Sequence, residues 1–107
     1  MNRTNENCQA LGLAGLELNA GSRQANIAGQ ELTLTGLEFD LLQTLIAYSP
    51  EMVKRQQLMW FLEDRTSADN LTVHVSNIRR KIAKLSTSIE VKAVRGQGYY
   101  LIARSVK

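Results

Sequence analysis

The sequence predicts an α+β domain in which an N-terminal antiparallel sheet is followed by three helices and a C-terminal β-hairpin. Three observations carry that expectation. A capping box at Thr35-Gly36-Leu37-Glu38 opens a helix with an apolar stripe. A second stripe, Leu71, Val75, Ile78, Ile82 and Leu85, recurs at spacings of three and four and marks a helix with one buried face. Two apolar runs flank Arg95-Gly96-Gln97-Gly98, where the glycines can supply the positive φ angles of a tight hairpin.

Taken in order, Asn2 to Gln9 is polar and aperiodic and reads as a tail or the end of an interdomain linker, leaving residues 10–107 as the folded domain. Leu11, Leu13, Leu16 and Leu18 predict short strand segments. Ala20-Gly21-Ser22 turns into a strand over Arg23 to Ala28, and Ala28-Gly29-Gln30 turns again into a strand marked by Leu32 and Leu34. The first helix runs from the Thr35 cap to about Tyr48, with Leu37, Leu41, Leu45 and Tyr48, supported by Phe39 and Leu42, facing the core. Ser49-Pro50 stops it, because proline disfavours helical geometry at the preceding residue.

A second helix starts near Lys54 and carries Leu58, Met59, Phe61 and Leu62, and Glu63 to Asp69 is a polar loop. Asp69 or Asn70 then caps the third helix. Its outer face shows Thr72, Val73, Ser76, Asn77, Arg80 and Lys84, with His74 and Lys81 at the flank. Beyond Ser86-Thr87-Ser88, alternation over Ile89 to Val94 and the run Tyr99-Tyr100-Leu101-Ile102 give the two strands of the hairpin.

Length and composition narrow the function. A chain of 107 residues holds one modest core. Apolar residues at 44% and charged residues at 21% match a globular domain rather than a disordered one. The single cysteine, Cys8, has no partner for an internal disulfide and no second metal ligand nearby, which suits a reducing cytoplasm. No apolar run reaches the roughly 20 residues of a spanning helix, and the start lacks the layout of a signal peptide.

Charge is strongly asymmetric. Met1 to Pro50 carries two basic and five acidic residues, whereas Asn70 to Lys107 carries eight Lys/Arg against Glu90 alone. One end of the molecule is therefore suited to an anion. A helix with a buried apolar side and a polar, basic outer side, preceded by another helix and followed by an arginine-tipped hairpin, is the layout of a winged helix-turn-helix. Such a helix fills the major groove of duplex DNA, where short polar side chains and arginine meet base edges, and the hairpin arginine reaches the adjacent minor groove.

The segments Leu32 to Leu42, Val73 to Ile82 and Ala93 to Tyr99 resemble, in order and spacing, the three signatures of OmpR/PhoB-type response-regulator effector domains. The Ser76 to Lys81 run and the Gly29 to Leu34 approach are most similar to the Cpx-type envelope-stress subgroup. The resemblance implies sequence-specific binding of double-stranded DNA by the output domain of a bacterial two-component regulator in the cytoplasm, associated with the nucleoid. It implies a receiver domain N-terminal to this one, a head-to-tail dimer on tandem half-sites from a domain that is monomeric alone, and an RNA polymerase contact through the Glu63 to Asp69 loop.

By the same resemblance Val73, Ser76 and Asn77 face bases, His74 and Arg79 contact phosphate, Arg95 enters the minor groove and Tyr99 contacts the backbone. Arg80 joins them by its placement beside Asn77, and Arg55 takes either a phosphate contact or a structural ion pair. The chain departs from the family at Asp69, usually arginine, at Thr72, usually aspartate, at Ala93, usually threonine, and in a loop about three residues shorter than in many members, which alters the activating contact.

Other chemistries lack support. His74 has no Ser, Cys or carboxylate constellation around it in the sequence, so no catalytic site, metal or cofactor is expected. Gly96-Gln97-Gly98 lacks the further glycine and the strand-helix setting of a nucleotide loop. Trp60 and Phe61 lack the interleaved bases of a single-strand stacking platform and are expected in the core. The Arg79-Arg80-Lys81 cluster has no spare apolar face for a membrane. The alternative is a winged-helix module that presents its basic face to an acidic protein.

Overall fold

The computed structural model describes residues 10–13, 15–63 and 65–103, so the expected tail at Asn2 to Gln9, with Cys8, lies outside the described residues. Alternating leucines become a four-stranded antiparallel meander of β1 (Ala10–Leu13), β2 (Leu16–Asn19), β3 (Gln24–Ile27) and β4 (Gln30–Leu32). Leu16, Leu18, Ala25, Ile27 and Leu32 are buried while Glu17, Asn19 and Gln24 face out, as a half-buried sheet requires. Between the paired residues Ile27 and Gln30 the turn is made by Ala28 (φ 52) and Gly29 (φ 85), both left-handed, the geometry that matches strand twist in a two-residue hairpin. The last of these strands ends at Leu32, and Leu34 is only half-buried in the approach to the first helix.

Helix α1 (Gly36–Tyr48) starts where its cap demands. The Glu38 amide donates to Thr35 Oγ1 at 3.2 Å and the Thr35 amide donates to Glu38 Oε1 at 3.0 Å. Phe39, Leu41, Leu42, Leu45 and Ile46 are buried. Tyr48, expected inside, is exposed at the final position of the helix, where its ring lies against Phe61 with centroids 5.8 Å apart. The helix stops at Ser49, whose hydroxyl donates to the Leu101 carbonyl at 2.6 Å, before a cis Ser49-Pro50 peptide.

A strand that the sequence does not announce follows. β5 (Val53–Lys54) pairs with β7 (Gly98–Ala103), which pairs in turn with β6 (Ile89–Val94), so the C-terminal sheet has three strands in the order β5-β7-β6 rather than the two of the expected ribbon. Of the two hairpin glycines only Gly96 has a positive φ, at 73°. The role of Gly98 is different: it lies opposite Lys54, and a Cβ there would stand 2.2 Å from the Val53 carbonyl oxygen.

Helix α2 (Arg55–Phe61) has two turns. Leu58 and Leu62, four apart, take its buried line. At 3.6 residues per turn Trp60 lies about 200° round from Leu58, so Trp60 is 72% exposed and Phe61 lies at the surface, which corrects the expectation that both belong to the core.

Helix α3 (Ala68–Ala83) is capped by Ser67 and not by Asp69 or Asn70. The Ser67 hydroxyl accepts from the Asn70 amide at 3.2 Å, which places Asp69 and Asn70 inside the first turn. Leu71, Val75, Ile78 and Ile82 are buried against α1 and β6 in a core shared with Leu58, Leu62, Val91 and Leu101, and Leu85 is partly buried beyond the helix end.

Candidate nucleic-acid interface

Burial of the α3 apolar stripe decides which residues its other side presents. Val73, Ser76 and Arg80 are exposed and Asn77 is half-exposed; they sit at i, i+3, i+4 and i+7 and form one contiguous surface, with Lys84 a further turn on. Val73 is 54% exposed and supplies an apolar side chain to this surface. Arg80 Nη2 donates to Asn77 Oδ1 at 2.6 Å, so the two side chains are joined. His74 is half-buried at the flank.

The remaining expected residues are placed less uniformly. Arg95 is exposed at the β6–β7 turn. Arg55 is tied to the same turn by its amide, which donates to the Gln97 carbonyl at 2.9 Å, and by Nη2, 3.4 Å from the Gly96 carbonyl. Its partner is thus the wing backbone rather than the acid of an ion pair. Arg79 turns toward the sheet, where Nε donates to the Val91 carbonyl at 2.8 Å. Tyr99 is buried with its hydroxyl 3.2 Å from Thr72 Oγ1, so the wing strand is fastened to the first turns of α3.

Two positioning contacts were not legible as such in the sequence. Lys81 Nζ donates at 2.6 Å to Glu38 Oε1, a carboxylate whose side chain is 3% exposed and which already caps α1. One acid therefore fixes α1 to the polar flank of α3. The signal, a basic flank on one helix and an acid at N3 of another, is 43 positions apart and acquires meaning only once the helices pack. On the opposite side Asp40 bridges Arg23 and Arg65, joining the β2–β3 turn to the loop before α3, and Arg23 also lies 4.7 Å from the centre of the Phe39 ring. Partial burial pushes the Asp40 carboxyl up, but hydrogen bonds from Arg23 and Arg65 and their charges outweigh it and hold its pKa below the ordinary value.

Among the described residues no group of three or more His, Cys, Asp and Glu could hold a metal ion, and no helix is long and apolar enough to cross a membrane. The family described as "Transcriptional regulatory protein, C terminal" matches residues 29–101, from the β3–β4 turn into β7. The chain belongs to this family. It is the OmpR/PhoB-type effector family that the three sequence motifs resemble, with its winged-helix fold.

Within the family, the Klebsiella pneumoniae transcriptional regulatory protein CpxR is 36% identical over 94 residues, covering 84% of this chain and 40% of that protein. The Escherichia coli transcriptional regulatory protein BasR is 35% identical, covering 85% and 40%. The chain thus spans about two-fifths of the length of these relatives. Among solved structures, the DNA-binding domain of CpxR from E. coli superposes with a TM-score of 0.76 at 30% identity, over 90% of this chain and 98% of that one. The DNA-binding domain of the response regulator AdeR, solved in complex with an intercistronic region, shares the fold with a TM-score of 0.77 at 22% identity, over 86% and 97%.

Proposed function

We propose that this domain binds double-stranded DNA sequence-specifically as the output module of a two-component transcriptional regulator, with α3 in the major groove and Arg95 in the minor groove. The observation that carries the reading is the division of α3: four buried residues, Leu71, Val75, Ile78 and Ile82, oblige Val73, Ser76, Asn77 and Arg80 to form the outer surface, on the basic end of the chain. An α-helix of this kind fits the major groove and offers donors and an apolar contact to base edges. Arg55, Arg79, His74 and Tyr99 are assigned to the phosphate backbone, Arg79 through its terminal amino groups because Nε is engaged with Val91. Shared membership with CpxR and BasR supports a role in transcription regulation.

In the same reading a receiver domain lies N-terminal to the sheet, two copies occupy tandem half-sites head to tail, and the loop from Glu63 to Asp69 meets RNA polymerase. The domain acts in the cytoplasm on the nucleoid and catalyses no reaction. Alone, it binds weakly, because it lacks the avidity that a receiver-linked dimer supplies.

The test is an anisotropy titration of this domain against a site selected from random duplexes and against a scrambled duplex, at several salt concentrations. Asn77→Ala should cost roughly 1 to 3 kcal/mol on the selected site and flatten preference at one or two base pairs. Arg95→Ala should weaken both duplexes and reduce the salt slope by about one. Absence of duplex binding at low salt and micromolar protein sinks the proposal. Tight binding to an acidic protein in its place would favour an interaction module.

A further inference from the structure

The outer surface of α3 contains a hydrogen bond that constrains which base it can read. Arginine has only donors, so the atom of Asn77 that meets Arg80 Nη2 at 2.6 Å is the amide oxygen. The Asn77 amide nitrogen, with its two donors, is thereby left for an outside partner, and a guanidinium charge stands beside the one acceptor. An asparagine alone can read adenine by accepting from its N6 amino group while donating to N7. With Arg80 on the oxygen, that acceptor is shared with a cation that repels the amino hydrogens of adenine. What the pair presents is chiefly donors, because the second lone pair of that oxygen lies beside the guanidinium charge.

We propose, resting on the DNA-binding reading above, that Asn77 and Arg80 act as one donor platform for the major-groove edge of guanine, and that Val73 meets a thymine methyl group close by. Guanine matches the platform because O6 and N7 are both acceptors and no donor lies on that edge of the base. Val73, a full turn N-terminal to Asn77, is the exposed apolar group of this surface. Its Cβ lies about 5 to 6 Å from that of Asn77, and with bases about 3.4 Å apart along a strand the methyl falls one or two base steps from the guanine. The C5-methyl of thymine is the apolar feature of the major-groove edges. The predicted half-site therefore couples a G·C pair to a T·A pair at that short spacing.

Base analogues in the selected duplex test this on the unaltered protein. Replacing one guanine by 7-deazaguanine should lower affinity about fivefold or more, and replacing one nearby thymine by deoxyuracil should lower it about three- to fivefold. Arg80→Ala and Asn77→Ala should each become insensitive to the first analogue while keeping the second effect, and Val73→Ala the reverse. All three side chains are on the surface, and circular dichroism verifies that the variants fold. The inference is overturned if every 7-deazaguanine duplex binds like its parent, or if the position relaxed by Arg80→Ala holds adenine in the selected sites. It is equally overturned if deoxyuracil is tolerated at every thymine. Duplex binding that persists with none of these effects sinks this inference alone, whereas no binding to any duplex sinks the DNA-binding reading with it.

Discussion

Gly98→Ala tests how the wing is held. The glycine lies opposite Lys54 in the β5–β7 pair, and a methyl group there would stand 2.2 Å from the Val53 carbonyl oxygen and 2.9 Å from both the Val53 carbonyl carbon and Lys54 Cα. All three atoms are backbone, so no rotamer change relieves the clash and the two strands must part. Forcing an added group into packed structure costs about 1 to 3 kcal/mol, and loss of the short β5 pairing adds about 0.5 to 1.5 kcal/mol for each hydrogen bond broken. The expected destabilisation is roughly 2 to 4 kcal/mol. For a domain of this size each kcal/mol moves the midpoint by about 4 to 8 °C, so thermal unfolding should show a fall of some 10 °C or more, and urea unfolding a lower midpoint at similar slope. A Gly98→Ala midpoint within 2 °C of the parent would refute the close approach. Gly96→Ala is the control: it meets open space but has a φ of 73°, so it should cost about 1 kcal/mol through backbone strain alone.

Three further outcomes are expected. Ile78→Ala, at a fully buried position, should cost about 2 to 5 kcal/mol in urea unfolding, while Ser76→Ala on the outer face should stay within about 0.5 kcal/mol; the opposite ranking would rotate α3 and reassign the DNA-facing surface. Lys81→Met leaves the buried Glu38 carboxylate without its cation and should destabilise by roughly 2 to 4 kcal/mol, and adding Glu38→Gln should recover part of the loss because the stranded charge is removed; a double variant no better than Lys81→Met would show that the two do not interact. The Asp40 carboxylate, depressed in the folded state, contributes stability that is fully present above the ordinary carboxylate value near pH 4 and is lost as pH falls toward its lower folded value. Asp40→Asn should therefore flatten the acid limb of a stability–pH curve and cost about 1 kcal/mol or less at neutral pH, since its arginines are partly exposed; an unchanged acid limb would remove Asp40 from the account.

Local signals explain what the sequence made legible. The Thr35 capping box, the Ser49-Pro50 stop and the α3 stripe each bring all their determinants within one or two helical turns, and each is found in the structure as expected. β5 was not legible because two residues cannot display a period of two, and its pairing is imposed by β7 some 45 positions away. The cap of α3 was misread because Ser67, Asp69 and Asn70 can all cap a helix, and the sequence does not show that the Ser67 hydroxyl is the one that accepts from the Asn70 amide. For the candidate site, the exposed face of α3 followed from its buried one. The engagement of Arg79 with Val91, of Tyr99 with Thr72 and of Arg55 with the wing did not, because each joins segments whose proximity is a product of the fold.

Trp60 is the only tryptophan in the chain, and it stands largely in water at the end of α2. Its emission should already resemble that of a solvated indole in the native protein, so heating or urea will shift the spectrum little, and fluorescence will understate unfolding that circular dichroism records in full. The same placement gives the domain a built-in optical reporter for one corner of its surface. A macromolecule that covers the end of α2 should move the emission to shorter wavelength and protect it from a soluble quencher, whereas DNA bound on α3 and the wing should leave both nearly unchanged. Trp60 thus reports occupancy of the α2 surface without a label, and DNA on α3 and the wing must be followed by a separate signal.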